Sequence, residues 1–525
     1  MFQLRSFLNH QWCMGEGDQK NLYNPSTEEV IAQTSTKGLD FLAAITHARD
    51  VGGPTLRNMT FAERGALLKN MSATLHEKRE YFLDISRDCN GATRGDSKFD
   101  VDGATATLST YANYGKILGE RKFLFDGEAE KLSTNARYVG QHIRIPRPGV
   151  AVHINAFNFP AWGTFEKIAT AFLAGMPVIT KPATATALLT YEMIRVLVES
   201  EMIPEGVLSF VAGSSGDLLD HLGPQDVVAF TGSAYTAAQL RGMPAFVQKS
   251  ARFSAEADSL NAAVLGPDVE VGSDVWYAFI RNVLTDMRQK TGQKCTAVRR
   301  ILVPTNLVDD VCETLVDDLK NRTRIGYPTE KEVTMGPVAS YSQLQDIRTG
   351  IQEFSQHAKI LTGGAESISG KYSPEGKGYF VSPTLFLAND SQNPIFHEKE
   401  IFGPCSTIIP YDGDPSQAVD LVAKGEGCLV SSLYTSDSSW LQNALVAAAS
   451  WNGRLVVINS KVADGGLPPG MVLPNQVHGG PGRAGGGEEL GGLRGMDLYT
   501  NRVAIQGDRG LLSKILGEKL QTGEN

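Results

Sequence analysis

Residues 149–181 read GVAVHINAFNFPAWGTFEKIATAFLAGMPVITK, and this stretch decides the fold. The apolar run 149–154 predicts a strand. The apolar side chains that follow recur at the spacing of one helix face: Phe165, Ile168, Ala169, Phe172 and Leu173. Gly175 is placed to end that helix, and 177–181 is a second apolar run. Two strands joined by a helix of this length run parallel, so the stretch predicts a β-α-β unit.

The same alternation of strands and helices continues on the C-terminal side of this unit. It covers a helix at 189–197, strands at 207–211 and 227–230, helices at 276–288 and 308–319, and strands at 300–303, 359–361, 406–410, 430–434 and 455–458. The gap in the alternation near residues 231–275 separates two units. The predicted fold class is therefore α/β, with two doubly wound α/β domains.

Three other regions depart from that alternation. The first 120 residues are predicted to be mostly helical, with 62–78 the clearest helix. Polar and apolar residues alternate through 136–146, which predicts an exposed or edge ribbon that pairs with another subunit. The glycine-rich run 478–495 is predicted to be a mobile loop.

Composition excludes several classes of function. The 525 residues include 49 Lys and Arg against 58 Asp and Glu, a net charge of −9, so no excess of cations exists to bind nucleic acid. No apolar run is long enough for a membrane span or a secretory signal, which predicts a cytoplasmic protein. The six cysteines are scattered and the nine histidines show no zinc-binding spacing, so we expect reduced thiols and no metal site.

The segment 291–297, TGQKCTA, is the strongest candidate for chemistry. It places Cys295 in a small, polar loop between a predicted helix and a predicted strand. A thiolate is a strong nucleophile, but an ordinary cysteine is largely protonated near neutral pH and needs activation by its surroundings. A partly buried structural cysteine would give the same local pattern.

Polar residues also follow the predicted strands of the first unit. Asn158 follows the first strand, at the edge where open α/β sheets bind ligands, and its amide could donate to a developing oxyanion. Its alternative role is to cap the helix that begins near Pro160. Lys167, nine residues later, is either a solvated surface lysine or a member of the site.

Other strand ends have the chemistry of a nucleotide site. Lys181 could bind ribose hydroxyls or a phosphate, and the turn at Gly232 and Ser233 opens a helix whose N–H groups could hold a pyrophosphate. A G-x-G-x-x-G sequence is missing after the first strand. Glu256 and Glu400 could act as a general base and as a ribose ligand, or remain ordinary surface acids.

Taken together, these segments resemble the aldehyde dehydrogenase superfamily. Six stretches match that family's motifs in order: 155–160 (NAFNFP), 181–183 (KPA), 230–233 (FTGS), 256–261 (EADSLN), 292–295 (GQKC) and 400–404 (EIFGP). The resemblance implies a Rossmann-like cofactor domain at 1–130 and 147–257 and a catalytic domain at 258–475. It also implies a small β oligomerisation arm with a C-terminal segment, at 131–146 and 476–525.

The resemblance further implies a role for each candidate. Cys295 would attack the aldehyde, Asn158 with the Cys295 N–H would stabilise the oxyanion, and Glu256 would activate water for thioester hydrolysis. The remaining assignments are Lys167 in the proton path, Lys181 at the adenosine ribose, Ser233 at the pyrophosphate, Glu400 at the nicotinamide ribose, Phe402 near the ring, and Phe157, Thr184 and Gly232 in the same cofactor-binding set.

Thr184 distinguishes this chain from many relatives. NAD-preferring members often carry a glutamate there, which binds the ribose hydroxyls and repels a 2′-phosphate. Because that charge is missing, the cofactor is expected to be NADP, with NAD also accepted. The carboxylate base at Glu256 favours an acid product over a second coenzyme A thioester.

A nearly end-to-end resemblance is to the semialdehyde dehydrogenases of bacterial aromatic catabolism through coenzyme A thioesters. It rests on 153–160, 256–261 and 478–490. It implies a CoA-linked six-carbon semialdehyde as substrate, a place in benzoate degradation, and a homodimer. Three alternatives remain: another aliphatic or aromatic aldehyde as substrate, thiol-dependent acyl transfer without a nicotinamide, and a non-catalytic relative.

Overall fold

The computed structural model describes residues 2–522, so Met1 of the predicted first domain and 523–525 of the predicted C-terminal segment lie outside the described residues. Its strands are β1 (Phe2–Leu4), β2 (Ser6–Leu8), β3 (Gln11–Cys13), β4 (Lys20–Tyr23), β5 (Val30–Thr34), β6 (Leu124–Phe125), β7 (Glu130–Lys131), β8 (Tyr138–Pro146), β9 (Ala151–Ile154), β10 (Val178–Lys181), β11 (Leu208–Phe210), β12 (Val227–Thr231), β13 (Arg252–Glu256), β14 (Ala262–Leu265), β15 (Arg300–Pro304), β16 (Ala358–Thr362), β17 (Thr384–Ala388), β18 (Cys405–Tyr411), β19 (Cys428–Tyr434), β20 (Asn452–Ile458), β21 (Val477–Gly479), β22 (Glu488–Leu490) and β23 (Thr500–Asp508).

The α-helices are α1 (Phe41–His47), α2 (Gly53–Asn58), α3 (Phe61–Glu77), α4 (Arg79–Asn90), α5 (Arg94–Leu118), α6 (Trp162–Ala174), α7 (Ala187–Glu199), α8 (Ala234–Arg241), α9 (Pro244–Val247), α10 (Asp274–Arg288), α11 (Val308–Arg322), α12 (Tyr341–Phe354), α13 (Ile395–Glu398), α14 (Pro415–Ala423), α15 (Ser438–Ala449) and α16 (Arg509–Leu516). Short 3₁₀ segments lie at Thr184–Thr186, Leu218–His221, Gln289–Gly292, Thr305–Leu307, Gly482–Ala484 and Gly492–Tyr499, and a π-helical turn at Ala48–Gly52. Within residues 2–522, every helix is too short or too polar to cross a membrane.

Two seven-stranded sheets confirm the predicted α/β class. The first has the order β13-β12-β9-β10-β11-β2-β3, and its strands from β13 to β11 are parallel. From β9 the chain builds towards β10 and β11 and then returns to add β12 and β13 on the other side. Such a reversal opens a crevice at the carboxyl ends of β9 and β12, which is where doubly wound sheets bind ligands.

The second sheet has the order β16-β17-β18-β15-β14-β19-β20 and is parallel except for β16. Only five residues, 257–261, separate the end of β13 from the start of β14. The carboxyl edge of the first sheet therefore leads directly into the amino edge of the second.

Helix α6 packs beneath the first sheet and follows the sequence pattern closely. All of its predicted core residues are fully buried: Phe165, Ile168, Ala169, Phe172 and Leu173. Gly175 ends the helix in the left-handed region, with φ of 93°, where a side chain would be strained. The buried Arg64 of α3 closes this end by donating to the carbonyl oxygen of Leu173 at 3.0 Å.

Helices α1 to α5 confirm that most of the first 120 residues are helical, and α3 is the helix predicted at 62–78. The first 34 residues are the exception. They contain β1 to β5, and β2 extends the first sheet by pairing Phe7 with Phe210 of β11 in antiparallel register. Strands of three residues are too short to show a period of two, so the pattern of the sequence does not reveal them.

The predicted ribbon is β8, whose buried residues alternate at Val139, Gln141 and Ile143. It is not an edge strand, because β23 pairs with it on one side and β6 and β7 pair with it on the other. One edge of this small sheet is β23, and the short strands β6 and β7 form the other.

The run 478–495 is not a free loop. It forms β21, β22 and two 3₁₀ segments, and the N–H of Gly487 donates to the carbonyl oxygen of Ala255 in β13 at 3.0 Å. A Cβ atom on Gly485 or Gly487 would lie 2.2 or 2.5 Å from that oxygen. The glycines therefore permit close backbone packing here rather than mobility.

Candidate active site

Asn158 lies in the loop that follows β9, at the crevice of the first sheet. Its side chain is buried, and the Nδ2 atom donates to the carbonyl oxygen of Gln293 at 3.0 Å. It does not cap α6, because the N-cap position is Ala161, which makes no side-chain capping hydrogen bond. An amide has two N–H donors, so the second donor of Asn158 remains for a ligand.

The loop that carries Cys295 is held in a fixed conformation. Lys290 and Thr291 have positive φ values of 53° and 55°, and Asn261 Nδ2 donates to the carbonyl oxygen of Cys295 at 2.8 Å. The neighbouring Lys294 turns away to the buried Asp286, with 2.7 Å between its Nζ atom and the carboxylate. Lys294 therefore stabilises the loop and does not act on the thiol.

The Cys295 thiol is partly buried and faces two titratable side chains. Its Sγ atom lies 3.8 Å from Nε2 of His478, and that Nε2 lies 3.2 Å from Oε2 of Glu256. Burial, and then the negative charge of Glu256, raise the pKa of the thiol well above its ordinary value. The resting side chain is therefore a neutral thiol that needs activation before it can attack.

Glu256 ends β13 and sits beside Thr231 of β12. Burial alone would raise the pKa of its carboxyl, but His478 and then Lys167 outweigh burial and hold that pKa below its ordinary value. Burial likewise opposes a charged His478, yet Glu256 raises the pKa of the imidazole. Both shifts favour an ionised Glu256–His478 pair.

Lys167 is buried on α6 behind this pair. Its Nζ atom lies 3.2 Å from Glu166 and 3.1 Å from Glu489 of β22. Although burial opposes the charge, Glu489 and then Glu166 raise the pKa of Lys167. Burial raises the pKa of Glu489. The Lys167 ammonium group thus neutralises part of the charge of three buried carboxylates, Glu166, Glu256 and Glu489. Glu489 keeps a proton more readily than an exposed glutamate does.

A cavity of about 490 Å³ runs along the carboxyl edge of the first sheet and reaches Cys295 and Glu256. Its volume is within the usual range for ligand pockets. Its walls include most of the predicted cofactor residues: Phe157, Lys181, Gly232, Ser233, Glu400 and Phe402. Thr184 begins a 3₁₀ turn one residue beyond Ala183, which lines the cavity.

Several of these side chains are already oriented. Ser233 caps α8 by accepting from the N–H of Thr236 at 3.2 Å. Glu400 accepts from Arg299 Nε at 2.9 Å, and the rings of Phe402 and Phe157 meet edge to face with centroids 5.8 Å apart.

Lys181 contributes a positively charged side chain to the wall of this cavity. Its Nζ atom donates to the carbonyl oxygen of Pro182 at 3.2 Å. Burial, and to a smaller extent Lys20, lower the pKa of Lys181 to about 8. The ammonium group is therefore charged near neutral pH and has donors left for a ligand.

A second, smaller cavity of about 40 Å³ also reaches the thiol. It is mostly apolar, and three aromatic rings, Phe99, Phe159 and Trp162, contact one another edge to face in its wall. Asn158, Glu256 and Cys295 line both cavities. The structure thus places the three predicted reactive groups between a long cleft and an apolar pocket.

Sequence reasoning missed His478, Glu166 and Glu489. The stretch 478–490 stood out only as part of the family resemblance, because its glycines favoured a loop. Its contact with Glu256 depends on the close approach of β22 to β13, which local sequence does not reveal.

Comparison with known proteins identifies the family of this chain. The model of the "Aldehyde dehydrogenase family" matches residues 12–505. A 3,4-dehydroadipyl-CoA semialdehyde dehydrogenase of Aromatoleum evansii is 39% identical over 480 residues, which are 91% of this chain and 93% of that protein. An alpha-ketoglutaric semialdehyde dehydrogenase of Bacillus subtilis is 28% identical over 82% of this chain and 85% of that protein.

Solved structures share the fold at lower identity. Betaine aldehyde dehydrogenase of Staphylococcus aureus, in complex with NAD⁺, has a TM-score of 0.83 at 21% identity, covering 97% of this chain and 98% of that one. A 3,6-anhydro-L-galactose dehydrogenase, in complex with NADP, has a TM-score of 0.82 at 22% identity, covering 96% and 99%. The chain therefore belongs to the aldehyde dehydrogenase family and is an NAD(P)-dependent aldehyde dehydrogenase.

Proposed function

We propose that this enzyme oxidises a coenzyme A-linked six-carbon semialdehyde, 3,4-dehydroadipyl-CoA semialdehyde, to the carboxylic acid with NADP as the preferred oxidant. The observation that carries the chemistry is the meeting of Cys295, Asn158 and Glu256 where the two cavities adjoin. The 39% identity to the enzyme of Aromatoleum evansii supports this substrate. The substrate in turn supports a role for the enzyme in aromatic catabolism.

In the proposed first step, the Cys295 thiol gives its proton to Glu256, which passes it on before the second step. Sγ forms a bond to the aldehyde carbon, and the carbonyl oxygen becomes an oxyanion. The free N–H of the Asn158 amide and the backbone N–H of Cys295 donate to that oxygen. A single donor of this kind typically contributes ~2.7 to 4 kcal/mol to the transition state. A nicotinamide bound in the cleft would supply the acceptor for the hydride of that carbon, so that a thioester would remain on Cys295.

In the second step, Glu256 accepts a proton from a water molecule that attacks the thioester carbon. The C–S bond breaks, the acid leaves and the thiol returns. Glu256 can accept the proton because it is ionised at neutral pH and its Oε1 atom is buried without a partner. Lys167 and Glu489 provide the path by which the proton leaves.

The cleft residues fit a dinucleotide. Lys181 has free donors for ribose or phosphate, the start of α8 after Ser233 offers N–H groups for a pyrophosphate, and Glu400 can accept from ribose hydroxyls. Thr184 adds no negative charge beside Lys181, which supports the preference for NADP.

A second candidate substrate is a simple aliphatic or aromatic aldehyde, because the smaller cavity of about 40 Å³ has an aromatic and apolar wall. The purified enzyme should therefore be assayed for nicotinamide reduction with the CoA-linked semialdehyde and with hexanal. Turnover should favour the CoA-linked substrate and disappear in Cys295→Ala but persist in Cys13→Ala, which changes a thiol outside both cavities. Turnover of hexanal alone would refute the substrate and retain the chemistry.

The cofactor preference is tested at position 184. Thr184→Glu should lower kcat/KM for NADP by at least about tenfold, because like charges brought together cost more than ~1.4 kcal/mol, and should leave NAD nearly unaffected. Thr184→Gln, which has nearly the same shape without the charge, is the control. Equal losses with both cofactors would contradict the proposal.

The proposed assembly is a homodimer. The edge strand β23 offers nine residues of backbone for pairing, and Val503 is exposed in its middle.

A further inference from the structure

Three different donor atoms converge at the bottom of the active site. Cys295 Sγ, His478 Nε2 and a carboxylate oxygen of Glu256 all lie within 4.8 Å of one another. The measured separations are 3.8 Å from sulfur to nitrogen and 3.2 Å from nitrogen to oxygen. Thiolate, imidazole and carboxylate are the ligands that zinc binds in proteins.

These separations match the edges of a zinc tetrahedron. Bond lengths of about 2.3 Å to sulfur and about 2.0 to 2.2 Å to nitrogen and oxygen give edges of about 3.6 Å for S···N and about 3.4 Å for N···O. The observed values differ from these by a few tenths of an ångström. The third edge, from sulfur to oxygen, is below 4.8 Å, so small side-chain adjustments would bring the three donor atoms to zinc-binding distances.

Hydrogen bonding leaves this cluster incompletely satisfied. Oε1 of Glu256 and Nδ1 of His478 are buried without a partner. The single Nε2 atom faces both the thiol and the carboxylate, and it can donate one proton or accept one, but not both. A metal ion at the centre would bind all three groups through their lone pairs.

Hydrogen bonds hold the backbone at or next to two of the three ligands, and one position around the site is open. Asn261 holds the Cys295 carbonyl, and Gly479 next to His478 pairs with Glu488 in β22. The 40 Å³ cavity adjoins all three side chains and is large enough for a water molecule as a fourth ligand.

We infer that Cys295, His478 and Glu256 form a binding site for Zn²⁺, and that the bound ion blocks the thiol reversibly. On binding, the Cys295 thiol and the His478 imidazolium each release one proton to solvent, bonds form from zinc to Sγ, to Nε2 and to a Glu256 carboxylate oxygen, and no group is oxidised or reduced. The sulfur lone pair is then unavailable for attack on an aldehyde. The inhibition of aldehyde oxidation by bound zinc rests on the proposed function, because it requires Cys295 to be the nucleophile. The metal site itself does not depend on that function.

Cobalt provides a direct test, because Co²⁺ bound by a thiolate gives a sulfur-to-metal charge-transfer absorption. Titration of the cofactor-free enzyme with CoCl₂ should produce this band at one ion per chain, and ZnCl₂ should displace it. Cys295→Ser should abolish the band, and His478→Phe should weaken Co²⁺ binding by at least about tenfold. Cys13→Ser and His142→Phe are matched controls and should bind normally.

The absence of a band in the wild type, or an unchanged affinity in His478→Phe, would overturn the inference. A further measurement covers the case in which His478→Phe does not fold. Equimolar ZnCl₂ should protect Cys295 of the wild type from iodoacetamide, as mapped by mass spectrometry, and a chelator should restore labelling. Unprotected labelling of Cys295 would also overturn the site.

Enzyme assays separate this inference from the proposed function. If the cobalt band appears but the metal-free enzyme oxidises no aldehyde, the metal site stands and the proposed substrate chemistry fails. If the metal-free enzyme is active, ZnCl₂ should inhibit it and a chelator should restore the activity. Activity that persists while zinc occupies the site would refute the blocking of the thiol.

Discussion

At the scale of single residues, the ammonium group of Lys167 stabilises the buried carboxylates behind the active site. It contacts Glu166 and Glu489 directly and stabilises the ionised form of Glu256. Buried carboxylates without a cation are costly, since the protein interior solvates charge poorly. Lys167 therefore supports the base through electrostatics rather than by touching the substrate.

Replacement of Lys167 by Met should keep the volume and remove the charge. We expect the free energy of unfolding to fall by ~3 to 5 kcal/mol at neutral pH, because uncompensated carboxylates remain in the core. Urea unfolding followed by circular dichroism measures the change. Lys116→Met on the exposed face of α5 is the control and should change stability by less than ~0.5 kcal/mol; a similar small change in Lys167→Met would contradict this account.

The pKa of Lys181 predicts how the KM for NADP depends on pH. Because burial lowers its pKa to about 8, its charge is present below that pH and is lost as the pH rises through it. The KM for NADP should therefore increase above about pH 8 and rise more steeply than the KM for NAD, which carries one phosphate fewer. Lys181→Arg stays charged and should show a flatter profile; an unchanged slope in this variant would assign the pH effect to another group.

At the scale of elements, strands and helices with a regular apolar period could be predicted and those without it could not. Helices α6 and α10 and strand β15 follow the expected boundaries within a few residues. In contrast, β2 depends on pairing with β11, about two hundred residues away, and β22 depends on contact with β13. Such long-range pairing leaves no local signal in the sequence.

The contribution of Gly175 to stability at the C-terminal end of α6 can be tested by substitution. Gly175→Ala should destabilise the protein by ~1 to 3 kcal/mol, because its φ of 93° strains a side chain and the new Cβ would lie 2.8 Å from the Arg64 guanidinium. Gly163→Ala, in the first turn of the same helix, meets no atom within 4 Å and should be neutral or stabilising. Denaturant midpoints compare the two, and equal effects would argue against backbone strain at Gly175.

At the scale of the whole molecule, the site lies where the two sheets meet. The candidates in strand-end loops could be predicted because the carboxyl ends of parallel strands share one edge. The pairing of Glu256 with His478 could not, because His478 reaches it through a segment that follows both sheets in the chain. The domain boundaries and the cytoplasmic location stay predictions.

The assembly is tested by mass in solution. Light scattering should give twice the 56.7 kDa mass of one chain. Val503→Glu should shift the protein towards the single-chain mass, because it puts a charge in the middle of the exposed edge strand β23. Tyr277→Glu, an exposed position on α10, is the control. A wild type with the mass of one chain would refute the dimer.

The division of the site between the two sheets has a consequence for how activity first arises. Asn158 follows β9 and Glu256 ends β13 in one sheet, whereas Cys295 precedes β15 of the other. Each sheet can complete its own hydrogen bonds without bringing these groups together. During refolding from denaturant, the return of enzymatic activity should therefore lag behind the return of secondary structure, and the lag would time the docking of the two halves of the chain.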